Sequence, residues 1–161
     1  MPESVWVAQS DPRVRPLLAD LAREYATRYH RALIDEHHKL REYSDEHFSP
    51  PEGGLLLLVQ DGQAVAGGAF QRYDGETAEF KRIWTHRAHR GHGFARRVVA
   101  ELEAEAGRRG YTRIFLTTGP NQPEARGLYL ATGYTPHFDV HAVPRTRLSF
   151  SKALPAAVGA R

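Results

Sequence analysis

The chain has 161 residues, 41% of them hydrophobic and 25% charged, with a formal charge of +3; this fits one soluble globular domain and excludes an intrinsically disordered chain. It contains no cysteine, which excludes structural disulfides, thiolate metal sites and a cysteinyl acyl-enzyme. No apolar run approaches the ~20 residues of a membrane helix, Met1-Pro2-Glu3-Ser4 opens no secretory signal, and bases interleave with acids rather than cluster, so the expectation is a cytoplasmic protein with neither a membrane nor a nucleic acid as partner.

In chain order, Val5 to Ala8 reads as a short strand. Asp11-Pro12 then opens a helix, with Asp as N-cap and Pro in the first position, and Leu17, Leu18, Leu21, Tyr25 and Tyr29 follow at near-helical spacing. The polar stretch from His30 to His47 reads as a second helix plus a loop, ended by Ser49-Pro50-Pro51-Glu52-Gly53-Gly54. Leu55 to Gln60, Gln63 to Gln71 and Glu76 to His86 are separated by Asp61-Gly62 and Asp74-Gly75. Asp-Gly between apolar runs predicts hairpins, hence a three-stranded antiparallel meander.

A glycine-bearing loop leads into a helix from about His92 to Arg109. Phe94, Val98, Leu102 and Ala106 recur every four residues, and Gly110 closes it. Arg113 to Thr117 is the next strand. A short helix runs from Pro123 to Gly133, and strands from Tyr134 and from Thr146 to Leu154 complete a single domain over 1–154, followed by a frayed tail over 155–161.

Strand, glycine loop and helix start together place several backbone N–H groups and a helix dipole around one point, which favours a phosphate. Gly91 and Gly93 let the backbone approach such a group, and Arg90 and Arg96 add charge. There is no Gly-Lys-Ser/Thr, and the third glycine and distant acid of a dinucleotide fingerprint are out of register.

Arg90-Gly91-His92-Gly93-Phe94-Ala95 resembles the Arg/Gln-x-x-Gly-x-Gly/Ala signature of the GNAT superfamily of N-acetyltransferases. Ala78 to Thr85 resembles the strand that precedes this loop in small bacterial members, and Leu116-Thr117-Thr118-Gly119 with Ala125, Leu128, Tyr129, Gly133 and Tyr134 resembles their later block. The resemblance, over roughly residues 50–135, implies an α/β mixed sheet, mostly antiparallel, splayed between its fourth and fifth strands and flanked by helices. Acetyl-CoA would lie in the splay. Its pyrophosphate would sit on the loop from Arg90 through Gly91, His92, Gly93, Phe94 and Ala95 to Arg96, and its pantetheine along Ile83, Trp84 and Thr85, on backbone groups of Ile83 and Thr85. Asn121 and Gln122 are alternative partners for a pantetheine amide. Arg87 stands where the family often has proline. A homodimer is one assembly found in this fold.

An alkylammonium of pKa near 10.4 must lose a proton before it can attack an acyl group, and the departing thiolate has a pKa of roughly 8.5. By resemblance Tyr129 is the acid facing the sulfur; the alternative is a core aromatic. Glu79 is the candidate base, directly or through water; the alternative is a surface pair with Lys81 or Arg82. Period 2 would put Glu79, Lys81, Ile83 and Thr85 on one face unless a bulge intervenes. By resemblance, a backbone N–H near Thr85 would hold the oxyanion. Tyr29, Tyr43 and Phe48 are candidates for the acceptor pocket, while Tyr25 reads as core. His37-His38 and His86, His89, His92 show no ligand spacing, so no metal is expected; His86 and His89 would instead flank the phosphate loop. The expected function is direct acetyl transfer from acetyl-CoA to a primary amine of a small molecule. A protein or peptide N-acetyltransferase and a non-catalytic acyl-CoA sensor are the alternatives.

Overall fold

The computed structural model describes residues 1–29, 32–42 and 45–155, with residues 37, 38, 41, 42 and 45 as backbone only. The expectation for Tyr43 and that for the tail beyond Pro155 therefore lie outside the described residues. The strands are β1 (Glu3–Val7), β2 (Gly54–Gln60), β3 (Gln63–Arg72), β4 (Thr77–Thr85), β5 (Arg113–Thr118), β6 (Thr135–Pro136) and β7 (Leu148–Ala153); the helices are α1 (Arg15–Tyr29), α2 (Leu33–Glu42), α3 (Phe94–Arg108) and α4 (Pro123–Ala131). The strands form one sheet in the order β1-β2-β3-β4-β5-β7-β6. Every neighbouring pair is antiparallel except β4 and β5, which α3 joins as a parallel crossover. Among the described residues no helix is long and apolar enough to cross a membrane.

Local chemistry explains most of these boundaries. Asp61 (φ 53) and Gly62 (φ 79) are both left-handed, the conformation a two-residue hairpin needs to match strand twist. The second Asp-Gly does something different. Asp74 Oδ1 accepts the Glu76 amide at 2.9 Å and the Tyr73 amide donates to Thr77 O at 2.9 Å, so four residues connect β3 to β4. α1 follows a single 3-10 turn, Pro12–Val14, capped by Asp11, whose side chain accepts from the Arg13 amide. α3 starts at Phe94, the first residue of its apolar repeat and two residues later than the expected start at His92, because Gly91 (φ 83) and Gly93 (φ 77) are left-handed. It stops at a left-handed Gly110, where the Tyr111 amide reaches back to Ala106 O. The strand expected from Tyr134 shrinks to two residues: Pro136 has no amide to donate, and Asp139 turns the chain by accepting the His141 amide at 2.8 Å.

The sheet is covered on both faces, which accounts for the unbroken leucine run in β2. Leu56 and Leu58 pack with Phe70, Ala78, Phe80 and the α3 residues Val98, Val99, Leu102 and Ala106. Leu55 and Leu57 pack on the other face with Leu17 and Leu21 of α1, and with Phe48, Ala69 and Trp84.

One irregularity reorganises β4. Gly67 pairs with Trp84 but Ala69 pairs with Lys81, so β4 carries one extra residue, and Arg82 there adopts φ 61. The expected alternation is thereby corrected. Ile83 joins Ala78 and Phe80 on the α3 face, while Trp84 moves to the α1 face. Glu79 and Lys81 thus face away from Ile83 and Thr85.

Leu102 is fully buried beneath β3 and β4. Leu102→Ala should lower unfolding free energy by about 2–5 kcal/mol, measured by urea denaturation.

Candidate active site

β4 and β5 pair from Thr77 opposite Arg113 to Phe80 opposite Leu116 and no further. Past the Arg82 bulge the strands part, and the space between them holds two cavities with a common wall. The first, about 390 Å³, lies between Ile83, Trp84 and Thr85 of β4, the loop from Arg90 to Arg96, and α4. The second, about 580 Å³, is bounded by α1, α2, the inner end of β4 and the segment before β7. Ile83, Gln122, Ala125 and Tyr129 line both.

The first cavity has the features of an anion and amide site. Gly91 and Gly93 present an exposed backbone, and a Cβ at either would meet nothing within 4 Å. Gly93 caps α3 without a side chain, so the first amides of α3 have no acceptor within their own helix. Arg96 is exposed beside them, and Arg90 reaches Glu24 of α1 at 3.6 Å. Deeper in, the His86 amide donates to Val65 O at 2.8 Å. The strand's period of two then turns the Ile83 and Thr85 amides to the opposite edge, toward the gap. Thr85 Oγ1 is buried with no hydrogen-bond partner among the described residues, an uncommon and costly state. A ligand with amide and carbonyl groups running along this edge would satisfy it. The residues present therefore fit a phosphate-bearing pantetheine.

Gln122, rather than Asn121, faces this space. Asn121 is exposed; its Nδ2 donates to Arg28 O at 3.1 Å, and its own carbonyl accepts from Arg28 Nη1 at 3.0 Å. Gln122 Oε1 accepts from Gly119 N (3.0 Å), Thr118 Oγ1 (3.2 Å) and Tyr29 OH (3.2 Å). A Cβ on Gly119 would occupy the place of the Tyr29 hydroxyl, so glycine there permits the contact. Arg28 also pairs with Glu24 and Glu124, and that guanidinium holds the Glu124 carboxyl below its usual range. These bonds fasten α1 to α4 across the gap.

Tyr129 is 4% exposed, between the Tyr134 and Phe150 rings at 5.7 and 5.5 Å. Burial, with a smaller contribution from Tyr25, raises its pKa, so the phenol keeps its proton at neutral pH. Glu79 lines neither cavity: Gln71 Nε2 donates to its Oε1 at 2.9 Å, and Lys81 Nζ is 3.9 Å from Oε2. Tyr29 lines the second cavity, but Phe48 does not. Phe48 is buried in the α1-side core with the Arg82 guanidinium 4.9 Å above its ring. His92 is exposed and lies outside the cavity walls; His86 Nδ1 accepts the Ala88 amide at 3.0 Å. Tyr25, read as core, packs against the α1-side core and also lines the second wall, while the sequence reading missed Glu36, Arg145 and Arg147 there. Their spacing carries no motif, and only folding brings them together.

The profile of the acetyltransferase (GNAT) family matches residues 16–134. Among solved structures, the chain is similar to a Klebsiella pneumoniae protein assigned as an acyl-CoA N-acyltransferase (24% identity, TM-score 0.73, 96% of this chain and 98% of that one). It is similar to a GNAT-family acetyltransferase of Staphylococcus aureus (12%, 0.75, 95% and 100%). It is also similar to a Salmonella typhimurium protein assigned as an acetyltransferase and solved with its cofactor acetyl-CoA (18%, 0.65, 100% and 98%). No curated relative matches in sequence. At these identities the structural likeness speaks for the fold.

Thr85→Val replaces the unpartnered hydroxyl with a methyl group. It should leave the ligand-free protein as stable or more stable, by up to about 1 kcal/mol, in urea denaturation; a clear loss would mean that the hydroxyl has a partner.

Proposed function

Because the chain belongs to the GNAT acetyltransferase family, we propose that it transfers an acetyl group directly from acetyl-CoA to a primary amine of a small molecule. The observation that carries this reading is the shared wall at Tyr129. A cavity shaped for a phosphate and an amide chain meets a second, open cavity at one buried, protonated phenol. Acetyl-CoA, when bound, supplies an activated acyl carbon and a thiolate leaving group.

The chain's own residues supply the rest. The left-handed glycines and the α3 N-terminus favour the phosphates electrostatically. The Ile83 and Thr85 edge and the Thr85 hydroxyl offer donors along the gap. Tyr129 OH holds the proton that a departing thiolate takes up. The absence of cysteine supports direct transfer. On the amine side, Glu36 is the one carboxylate among the described residues of the second wall, 3% exposed and 3.6 Å from Lys39 Nζ. It is suited to accept the ammonium proton, directly or through water. Glu79, outside both walls, can serve there only through water. Tyr25 is not a base at neutral pH, since burial above all pushes its phenol up to about 12.

Gly93→Asp places a carboxylate where the phosphates would sit, in open space. It should abolish acetyl-CoA binding in calorimetry while circular dichroism is unchanged; retained affinity would refute the loop assignment. Tyr129→Phe should lower kcat by about a hundredfold with little change in acetyl-CoA affinity, read as CoA release. Unchanged turnover would return Tyr129 to a packing role.

A further inference from the structure

The second cavity has a charge pattern that the acetyl-transfer reading does not explain. Among its described residues, Lys39, Lys81, Arg82, Arg145 and Arg147 stand against a single carboxylate, Glu36. Arg145 and Arg147 lie just before β7 and are exposed. Neither makes a hydrogen bond or ion pair with another described residue. Of the three arginines lining the first cavity, by contrast, Arg28 and Arg90 are tied to Glu24 and Glu124. The basic groups converge. Arg82 is buried, with Nη2 donating to Leu40 O at 2.7 Å. Burial, Glu24 and Tyr29 raise the Tyr25 phenol, while Arg82 and Arg147 act in the opposite sense, so both guanidinium charges are felt inside the cavity.

A polycationic amine entering this space would meet like charge on most sides. An anion would meet two guanidinium forks without a bound acid, the arrangement that carboxylate and phosphate oxygens match best. The volume of about 580 Å³ suits a small molecule. We propose that the acceptor is a small amine that also carries an anionic group, a carboxylate or a phosphate, which Arg145 and Arg147 hold while the amine is presented toward Tyr129. This rests on the acetyl-transfer reading and narrows its substrate class.

The test uses the full chain with acetyl-CoA and a thiol reagent, to which this cysteine-free protein adds no background. The acceptors are 4-aminobutanoate, O-phosphoethanolamine, butylamine, 1,4-diaminobutane and kanamycin. One of the two anionic amines should exceed butylamine in kcat/KM by about tenfold or more, and which one does so distinguishes carboxylate from phosphate. The preference should shrink as ionic strength rises, and the diamine and kanamycin should be poorest. Replacing both Arg145 and Arg147 by alanine should raise KM for the anionic acceptor by about tenfold to a hundredfold with acetyl-CoA affinity unchanged. Arg147→Glu should shift preference toward the diamine. A polycationic amine as the best acceptor, or an unaltered KM in the double variant, overturns the proposal. If acetyl-CoA fails to bind in calorimetry, the acetyl-transfer reading itself falls. If it binds but no amine turns over, titration of the two anionic amines into the protein–CoA complex decides. Binding that the double variant loses upholds the anion site, and no binding overturns it.

Discussion

Residues other than glycine rarely adopt a positive φ, yet Arg82 does so in the middle of a central strand. The conformation costs on the order of 1–3 kcal/mol, and the surroundings hold it. The guanidinium bonds Gln9 and Leu40 O and lies over the Phe48 ring, while Gly68 opposite leaves room for Ile83 and Val98 where a Cβ would clash. Three consequences follow. The extra residue exchanges the faces of the strand, so Ile83 reaches the α3 core and Trp84 the α1 core, where its indole donates to Asp20 at 3.1 Å. The outer half of β4 leaves β5, whose pairing ends at Leu116. The freed edge turns its amides toward empty space instead of a neighbouring strand.

A sheet opened in this way would expose backbone and apolar side chains unless something closed the gap. α3 closes one end with unpaired amides and a glycine loop; α4 closes the floor with Leu128 and Tyr129; and α1 is fastened across by Arg28 and Tyr29 to Glu124, Asn121 and Gln122. The side-chain carbonyl of Gln122 gathers three donors from β5, the loop after it and α1. The gap is therefore a wedge with fixed walls, divided at Tyr129 into two chambers.

Both chambers favour negative charge, for different reasons. In the first, the field comes from backbone, helix amides and left-handed glycines, with Arg96 beside them and Arg28 and Arg90 tied to acids. In the second it comes from side chains, chiefly guanidinium groups from β4 and the segment before β7. The phenol between them sits in a low-dielectric wall that keeps it protonated. A group that must give up a proton only as negative charge develops beside it is well placed there.

Much of this was legible in the sequence, because the signals were local. Asp61-Gly62 determines its own turn, the four-residue repeat of Phe94, Val98, Leu102 and Ala106 determines a helix with one apolar face, and the Arg90-to-Ala95 loop with Tyr129 carries the family pattern. Even the two-faced burial of β2 follows from its unbroken leucines. The face of each β4 residue beyond Lys81 was not legible, since the bulge depends on Gly68 across the sheet and on Phe48 and Leu40 beneath it. Nor was the exclusion of Glu79 and Phe48 from the cavities, or the choice of Gln122 over Asn121, because Glu79 is held by Gln71 across the sheet and the others were sorted by packing and bonds against α1. The second chamber was least visible of all. Glu36, Lys81 and Arg147 come from three distant segments without a shared motif, and only the packing of α2 and the β7 approach against a broken strand pair brings their charges into one space.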